Sequence, residues 1–267
     1  MTEDPAAEEP YIFTTLRWDP TLLESAANSK ASCDQPCPFY MLKYHWARLQ
    51  PASQAAIATP AALLESLSHQ VQQWHLNHPN DSTESLRIKY RIYANGRTVT
   101  EISPITRIPL RTLFPVSFLF MSERPAQMVP WTATLDTVPT TISSHTRYKT
   151  SSRIPYDRAR AAANITSYAD TVEVLLYNDN DEILDGSITT PYFLVKDEWV
   201  TPAAACGGQQ GTTRQWALAQ GLCVEGVVES KLLQRQEADG KIVWLSNGVR
   251  GFFEARIKMR STDGEAS

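Results

Sequence analysis

The stretch that decides the fold runs from Glu173 to Arg214, EVLLYNDNDEILDGSITTPYFLVKDEWVTPAAACGGQQGTTR. Short apolar runs separated by turn residues predict a β-rich segment through residue 202. The Gly-rich loop GGQQGTTR (207–214) then leads into TTRQWALAQGL, which is typical of a helix. This order places a carboxylate, a cluster of hydroxyls and a candidate anion-binding turn in one module.

The loop at the end of this stretch has the features of a phosphate-binding turn. Gly207, Gly208 and Gly211 allow the backbone to turn tightly, and Thr212 and Thr213 open the predicted helix. The first amides of a helix have no partner within it and are therefore available to an anion. A Thr-rich helix start is also an ordinary N-cap, so the turn alone does not identify a site.

An acid and an amine accompany the turn. Asp185 follows an apolar pair and is predicted at a turn between the strand-like runs DEIL and TPYFLV. Lys149 lies in RYKTSSRIPYDRARAAAN, just before a predicted helix with Pro155 in its first turn. Pyridoxal 5'-phosphate needs an amine for its Schiff base, an acid for its pyridine nitrogen and donors for its phosphate. The sequence therefore predicts this cofactor.

Several motifs resemble a known family, the class IV pyridoxal-phosphate enzymes, which include branched-chain and D-amino-acid transaminases and 4-amino-4-deoxychorismate lyase. The resemblance rests on YKTSSR (148–153), DGSITTPYF (185–193), GTTR (211–214) and LSNGVRG (245–251). FTTLR (13–17) and YHWARL (44–49) are most similar to the lyase branch, in particular its fungal members. The resemblance implies fold type IV, an α/β (α+β) chain with a smaller N-terminal α/β domain and a larger C-terminal pseudo-barrel domain.

The resemblance also implies roles for individual residues. Lys149 would be the Schiff-base lysine and general base, and Asp185 the partner of the pyridine nitrogen, where the family usually has Glu. The remaining cofactor-binding residues would be Arg48, Thr212, Thr213, Ser246 and Asn247. Taken singly, Lys149 could be a solvated surface lysine, Asp185 a turn residue and Arg48 a surface ion-pair partner.

The substrate would meet residues of the smaller domain. The resemblance assigns Thr14 and Arg17 to substrate binding and makes Thr15 a candidate proton donor to the leaving group. Arg17, beside Trp18, could instead be a stacked structural arginine. The family's usual Asn is replaced by Thr190, and Pro191 follows it. These departures bear on the substrate more than on the fold.

Composition and pattern predict two domains. The 267 residues are 42% hydrophobic and 20% charged, as in ordinary globular proteins. PAALLESLSHQVQQWHLNH (60–78) has helical spacing after a proline start, and SLRIKYRIYANGRTVTEISPI (85–105) alternates around Asn-Gly as a hairpin does. GKIVWLSNGVRGFFEARIKM predicts two more strands around Asn-Gly. We place the domains at 1–110 and 111–267.

Charge and residue usage exclude several function classes. A net charge of −4 and a pI near 5.8 argue against nucleic-acid binding. The four cysteines and five histidines lack zinc spacing, so we expect no metal. No apolar run is long enough to span a bilayer and no secretory signal is present, so we expect a cytoplasmic protein without membrane partners.

Three functions remain open at this point. The resemblance favours a lyase that converts 4-amino-4-deoxychorismate to 4-aminobenzoate and pyruvate in folate biosynthesis. The first alternative is an aminotransferase acting on D-amino acids, branched-chain amino acids or (R)-amines, because the fold does not decide between the two reactions. The second is a non-catalytic member of the fold. The partners implied are a small-molecule amine and, by resemblance, a second copy of the chain in a homodimer.

Overall fold

The computed structural model describes residues 9–50, 58–79, 84–118 and 131–259. The helices in these ranges are α1 (Ala26–Ala31), α2 (Leu42–Leu49), α3 (Pro60–Asn77), α4 (Leu110–Leu113), α5 (Ser144–Arg147), α6 (Ile154–Ala162), α7 (Thr212–Ala219) and α8 (Lys231–Gln234). The strands are β1 (Tyr11–Trp18), β2 (Ser85–Tyr93), β3 (Thr98–Ile105), β4 (Trp131–Leu135), β5 (Val172–Tyr177), β6 (Ile183–Gly186), β7 (Thr190–Val195), β8 (Glu198–Pro202), β9 (Val224–Gly226), β10 (Ile242–Asn247) and β11 (Gly251–Ile257).

The chain divides into two compact units. The first unit comprises Met1–Arg107 with Lys149–Ser152, and the second comprises Ile108–Tyr148 with Arg153–Ser267. The predicted ranges, 1–110 and 111–267, differ from this division in placing Lys149 with the C-terminal part. Two backbone bonds attach its segment to β1: Phe13 N donates to Lys149 O (2.9 Å) and Ser151 N donates to Tyr11 O (2.8 Å).

The first unit is built on an antiparallel sheet in the order β1-β2-β3. The predicted hairpin is confirmed, because β2 and β3 pair around Asn95-Gly96, where Gly96 has the positive φ of +83° that the turn requires. One face of the sheet packs on α2 and α3 through an apolar cluster that includes Leu16, Ile88 and Leu67. The predicted helix from Pro60 is confirmed as α3, capped by the hydroxyl of Thr59.

The second unit contains a mixed eight-stranded sheet in the order β6-β5-β4-β11-β10-β7-β8-β9. The sheet curls, so that β6 also contacts β8, and it forms the predicted pseudo-barrel. The predicted hairpin around Asn247-Gly248 is confirmed as β10 and β11. The concave core is filled by apolar side chains such as Leu175, Leu245 and Phe253. The hairpin was predicted from its Asn-Gly turn, and the pseudo-barrel from the resemblance to fold type IV.

None of the helices in the described part of the chain combines the length and the apolar character needed to cross a bilayer.

Candidate active site

In the first unit, the short segment that contains Lys149 pairs with β1 in antiparallel orientation. Thr150 pairs with Ile12, so Lys149 lies opposite Phe13 in the register. The Lys149 Nζ atom lies 5.1 Å from the centre of the Phe13 ring, within cation–π range. Lys149, Phe13 and Thr15 therefore share one face of the sheet, because side chains alternate along a strand.

Thr14 lies on the opposite face and is fully buried. Its hydroxyl is hydrogen-bonded to Nδ1 of His45 on α2 at 2.6 Å. This contact gives Thr14 a role in orienting His45, beside the substrate role predicted for it. The contact could not be read from the sequence, because the two residues are 31 positions apart.

His45 is a buried imidazole that sequence reasoning did not select. Burial, together with the charges of Arg48 and Lys149, holds the pKa of His45 well below its usual value, so the ring is neutral. Its Nε2 atom has no hydrogen-bond partner among the described residues. The available signal was the spacing of His45 and Arg48 in YHWARL, because residues three apart share a helix face. Because the His45 ring is neutral, it adds no second positive charge beside the Arg48 guanidinium.

This lowered pKa predicts acid sensitivity. The unfolded chain takes up a proton near pH 6.5 while folded His45 does not, so the free energy of unfolding falls as pH drops below 6.5. The slope contributed by this residue is about 1.4 kcal/mol per pH unit. His45→Asn keeps a hydrogen-bonding atom near Thr14, and urea unfolding between pH 7 and 5 should show a shallower decline for this variant. Equal slopes would contradict the assignment.

Arg17 is held within the first unit. Its guanidinium, with 3% of the side chain exposed, forms an ion pair with buried Asp19 (3.1 Å) and donates to the carbonyl of Thr106 (2.8 Å). Asp19 also accepts from Ser85 and caps the turn at Thr21. These contacts favour a structural role for Arg17 over the substrate contact predicted for it.

In the second unit, the predicted helix after GGQQG is confirmed as α7. Its N-cap, Gly211, has no side chain, so the first amides of α7 receive no side-chain cap. The hydroxyl of Thr212 is buried and has no partner among the described residues. A buried hydroxyl without a partner is costly, and here it lies beside uncapped amides, as an anion site requires.

A chain of hydroxyls continues from this helix start. Thr213 Oγ1 lies 2.7 Å from Ser246 Oγ, which lies 2.8 Å from the phenol of Tyr192. Burial raises the pKa of Tyr192 far above its ordinary value, so the phenol stays neutral at physiological pH. Arg214 fixes the same turn of α7 by bonding to the carbonyl of Pro202 and pairing with Glu225. Thr213, which follows Thr212 in the chain, is thus in direct contact with Ser246, and the phosphate role of these three residues stays a prediction.

Asp185 lies inside β6, where it pairs with Leu176 of β5, rather than at the turn predicted for it. The strand extends to Gly186, and the turn follows it, closed by the bond from Gly186 N to Thr189 O. Asp185 is buried, with 5% of its surface exposed. The loop before α7 approaches this strand so closely that a Cβ at Gly208 would lie 1.9 Å from the carbonyl oxygen of Leu184. Glycine at 208 therefore allows the candidate anion-binding turn to lie next to Asp185.

A second buried acid, Glu173 of β5, was not singled out by sequence reasoning. Its carboxylate accepts from Ser187 Oγ (2.6 Å), Thr189 Oγ1 (2.7 Å) and the amide of Ser187 (3.0 Å). It therefore fixes the turn that follows Asp185. The signal in the sequence was an acid at the start of an otherwise apolar strand, which needs partners when buried.

Two arginines of the α6 segment bind the same turn. Arg160 Nη1 donates to Ser187 Oγ (3.1 Å) and Arg153 Nη2 donates to the carbonyl of Ser187 (2.9 Å). Asn247 serves the β10–β11 turn, where its Oδ1 accepts from the amides of Val249 and Arg250. The cofactor-binding role of Asn247 stays a prediction.

The groups of the second unit fit pyridoxal phosphate. Uncapped amides and the unpartnered hydroxyl of Thr212 suit a phosphate, and buried Asp185 suits a protonated pyridine nitrogen. Residues 12–257 match the family described as amino-transferase class IV. The chain belongs to this family. Its members depend on pyridoxal phosphate, and the fold described above is fold type IV.

The individual proteins to which this chain is similar include lyases and an aminotransferase. Aminodeoxychorismate lyase of Saccharomyces cerevisiae is 32% identical over 147 residues, which is 49% of this chain and 38% of the yeast protein. A solved structure assigned as a 4-amino-4-deoxychorismate lyase covers 96% of this chain and 88% of its own, with 21% identity and a TM-score of 0.60. Branched-chain amino acid aminotransferase of Escherichia coli covers 94% and 77%, with 13% identity and a TM-score of 0.59.

These similarities differ in what they show. This chain spans well under half the length of its yeast relative. At 21% and 13% identity, the two solved structures show the class IV fold alone. The similarities therefore do not decide between a lyase and an aminotransferase, and they do not identify the catalytic lysine.

The unpartnered hydroxyl of Thr212 yields a prediction. Thr212→Val should leave the cofactor-free protein at least as stable, because it removes a buried polar atom that has no partner. The same change should weaken binding of pyridoxal phosphate about 10-fold or more, since a hydrogen bond to a charged group is worth about 1.5–3 kcal/mol.

Fluorescence titration and thermal unfolding would measure the two effects. Thr201→Val is the matched control, because Thr201 donates to the carbonyl of Pro191 (3.0 Å) within the same unit. The control should lose stability and keep its affinity. Unchanged affinity in Thr212→Val would remove Thr212 from the phosphate site.

Proposed function

We propose that this protein is a pyridoxal-phosphate-dependent lyase that converts 4-amino-4-deoxychorismate to 4-aminobenzoate and pyruvate, a step toward folate. The observation that supports this most directly is the cradle at α7, where the unpartnered hydroxyl of Thr212 lies beside uncapped amides in a class IV chain. The 32% identity to the yeast lyase supports the choice of reaction.

In this proposal the candidate residues have separate chemical roles. When bound, the cofactor supplies the electron sink for breaking bonds at the substrate's amine-bearing carbon. Lys149 would hold the cofactor covalently through its amine and, once the incoming substrate amine has displaced it, the freed amine would remove the proton from that carbon. Thr212, Thr213 and Ser246 would bind the phosphate through neutral hydroxyls and amides, and Arg48 would supply a positive charge for it. Asp185 holds a negative charge against the pyridine nitrogen.

Thr15 is proposed as the group that protonates the leaving enolpyruvate. It shares the sheet face of Phe13 and Lys149 and is partly exposed, so its hydroxyl can reach a bound molecule. Lys149 could donate the same proton. We also propose that the protein is cytoplasmic and that it forms a homodimer. Sedimentation of the purified protein would test whether it is a homodimer.

An aminotransferase is the second candidate, favoured by the family match itself. The two reactions leave the cofactor in different states. A transaminase retains the substrate's amino group on the cofactor and needs a keto acid to turn over again. A lyase releases its products and needs no second substrate.

The deciding experiment is to incubate the purified, cofactor-loaded protein with 4-amino-4-deoxychorismate and measure 4-aminobenzoate fluorescence without a keto acid. Multiple turnovers would establish the lyase. Turnover only with added keto acid and a D-amino acid, a branched-chain amino acid or an (R)-amine would favour the aminotransferase. Borohydride reduction and peptide mapping should locate the bound cofactor on Lys149, and a label elsewhere would contradict the site.

A further inference from the structure

One face of the first unit's sheet is basic and lined with aromatic rings. We call this the basic face and define it by Tyr11, Phe13, Lys89, Arg91 and Glu101. The register places Lys89 beside Thr15 and Arg91 beside Phe13, so these side chains project to the same side as Lys149. All of these residues, including Lys149, belong to the first unit.

Lys89 and Lys149 meet the same aromatic ring. Lys89 Nζ lies 5.0 Å from the centre of the Phe13 ring and Lys149 Nζ lies 5.1 Å from it. The two nitrogen atoms are therefore separated by no more than about twice that distance. The Tyr11 phenol, 3.3 Å from Lys89 Nζ, holds the Lys89 ammonium in place.

Positive charge exceeds negative charge on this part of the sheet. On β2, Arg87, Lys89 and Arg91 point to one side, and the acid opposite them on β3 is Glu101. Glu101 lies 3.9 Å from Lys89 and pairs more closely with Arg91, and its own side chain is 47% exposed. The side chain of Lys89 is only 18% exposed, so an added carboxylate would meet a partly desolvated ammonium, where charge attraction is stronger than in water.

We propose that Lys89 binds a carboxylate of the substrate while Lys149 acts on its amine. This rests on the proposed function insofar as it names Lys149 as the reacting amine. Because both nitrogen atoms lie about 5 Å from the same ring centre, one small molecule that carries an amine and a carboxylate can contact both lysines. Lys89 thus determines specificity by strengthening the binding of amines that also carry a carboxylate, without affecting amines that lack one.

The alternative role for Lys89 is purely structural, as the partner of Glu101. The two roles predict different effects of Glu101→Gln on ligand binding. If Lys89 only pairs with Glu101, Glu101→Gln removes this ion pair and leaves ligand binding unchanged. If Lys89 binds substrate, Glu101→Gln removes a competing carboxylate and strengthens the binding of anions.

The test is equilibrium dialysis of the full chain, with and without pyridoxal phosphate, against 4-aminobenzoate and against aniline. Lys89→Met keeps the length of the side chain and removes its charge, and Lys89→Arg keeps the charge. Lys43→Met, at an exposed lysine of α2, is the matched control. We expect Lys89→Met to weaken 4-aminobenzoate binding at least 10-fold and to leave aniline binding unchanged. Lys89→Arg should restore most of the affinity, and Glu101→Gln should raise it several-fold.

Kinetics would give a second readout. In Lys89→Met, KM for a carboxylated amine should rise about 10-fold, with kcat changed less than threefold, because binding is lost and the reacting amine remains. If 4-aminobenzoate binds Lys89→Met as tightly as the wild type, the inference is wrong even where lyase activity is present. If the wild type shows no lyase activity but its preference for 4-aminobenzoate over aniline depends on Lys89, the proposed function fails and the inference stands. Should Lys89→Met not fold, unchanged affinity in Glu101→Gln overturns the inference.

Discussion

Replacing Lys149 with alanine is expected to lower kcat/KM at least roughly 10³-fold, since general acid–base catalysis alone contributes about 10²–10⁴-fold. The substitution removes both the covalent attachment of the cofactor and the group proposed to move the proton. The fold should survive, because the segment is attached to β1 through backbone bonds from Phe13 and Ser151 that alanine retains.

Steady-state formation of 4-aminobenzoate and thermal unfolding would measure these two effects. Lys43→Ala, an exposed lysine of the same unit, is the control and should match the wild type in both. The residues proposed to bind the phosphate, Thr212, Thr213 and Ser246, belong to the second unit, so Lys149→Ala should still bind pyridoxal phosphate noncovalently. Borohydride should no longer attach the cofactor to the chain. Activity within 10-fold of the wild type would exclude Lys149 as the reacting amine.

Asp185→Asn is expected to lower kcat about 10²–10³-fold, the usual effect of removing one preorganised electrostatic group from an active site. The amide is nearly the same size as the carboxylate but carries no charge, so it cannot stabilise a protonated pyridine nitrogen. Affinity for the cofactor should fall much less, because the phosphate is proposed to bind at the start of α7. Stopped-flow absorbance of the bound cofactor and titration would separate the two effects.

Asp185→Glu is the matched variant, because Glu is the residue usual in the resembling family. It restores the charge on a longer side chain, but Gly208 leaves little room beside β6, where a Cβ on that glycine would lie 3.3 Å from Asp185 Cβ. We expect intermediate activity, above that of Asp185→Asn and below that of the wild type. Equal activity in Asp185→Asn and the wild type would show that Asp185 does not serve the ring nitrogen.

Local pattern was sufficient for several elements. Pro60 after Thr59 marked the start of α3, and Asn95-Gly96 marked the β2–β3 turn. The glycines before Thr212 marked the start of α7. Each of these features depends on the conformational preferences of a few adjacent residues, which are the same in any fold.

Burial decided the roles of several charged and polar residues. Arg17 was a candidate for substrate binding, but the structure pairs it with Asp19 inside the first unit. Glu173 received no role from the sequence, yet it fixes the turn after Asp185 through Ser187 and Thr189. Whether a charged side chain faces solvent or a buried partner depends on packing, and the sequence pattern around it looks the same in both cases.

The sequence by itself determined helices α3 and α7, the two Asn-Gly hairpins and, through its motifs, the resemblance to class IV enzymes. Only the tertiary structure placed Lys149 against Phe13, 136 positions earlier in the chain, and His45 against Thr14. Local elements follow from periodicity and turn chemistry within a few residues. Pairing between distant segments depends on which surfaces the folded chain buries together, and periodicity contains no information about that choice.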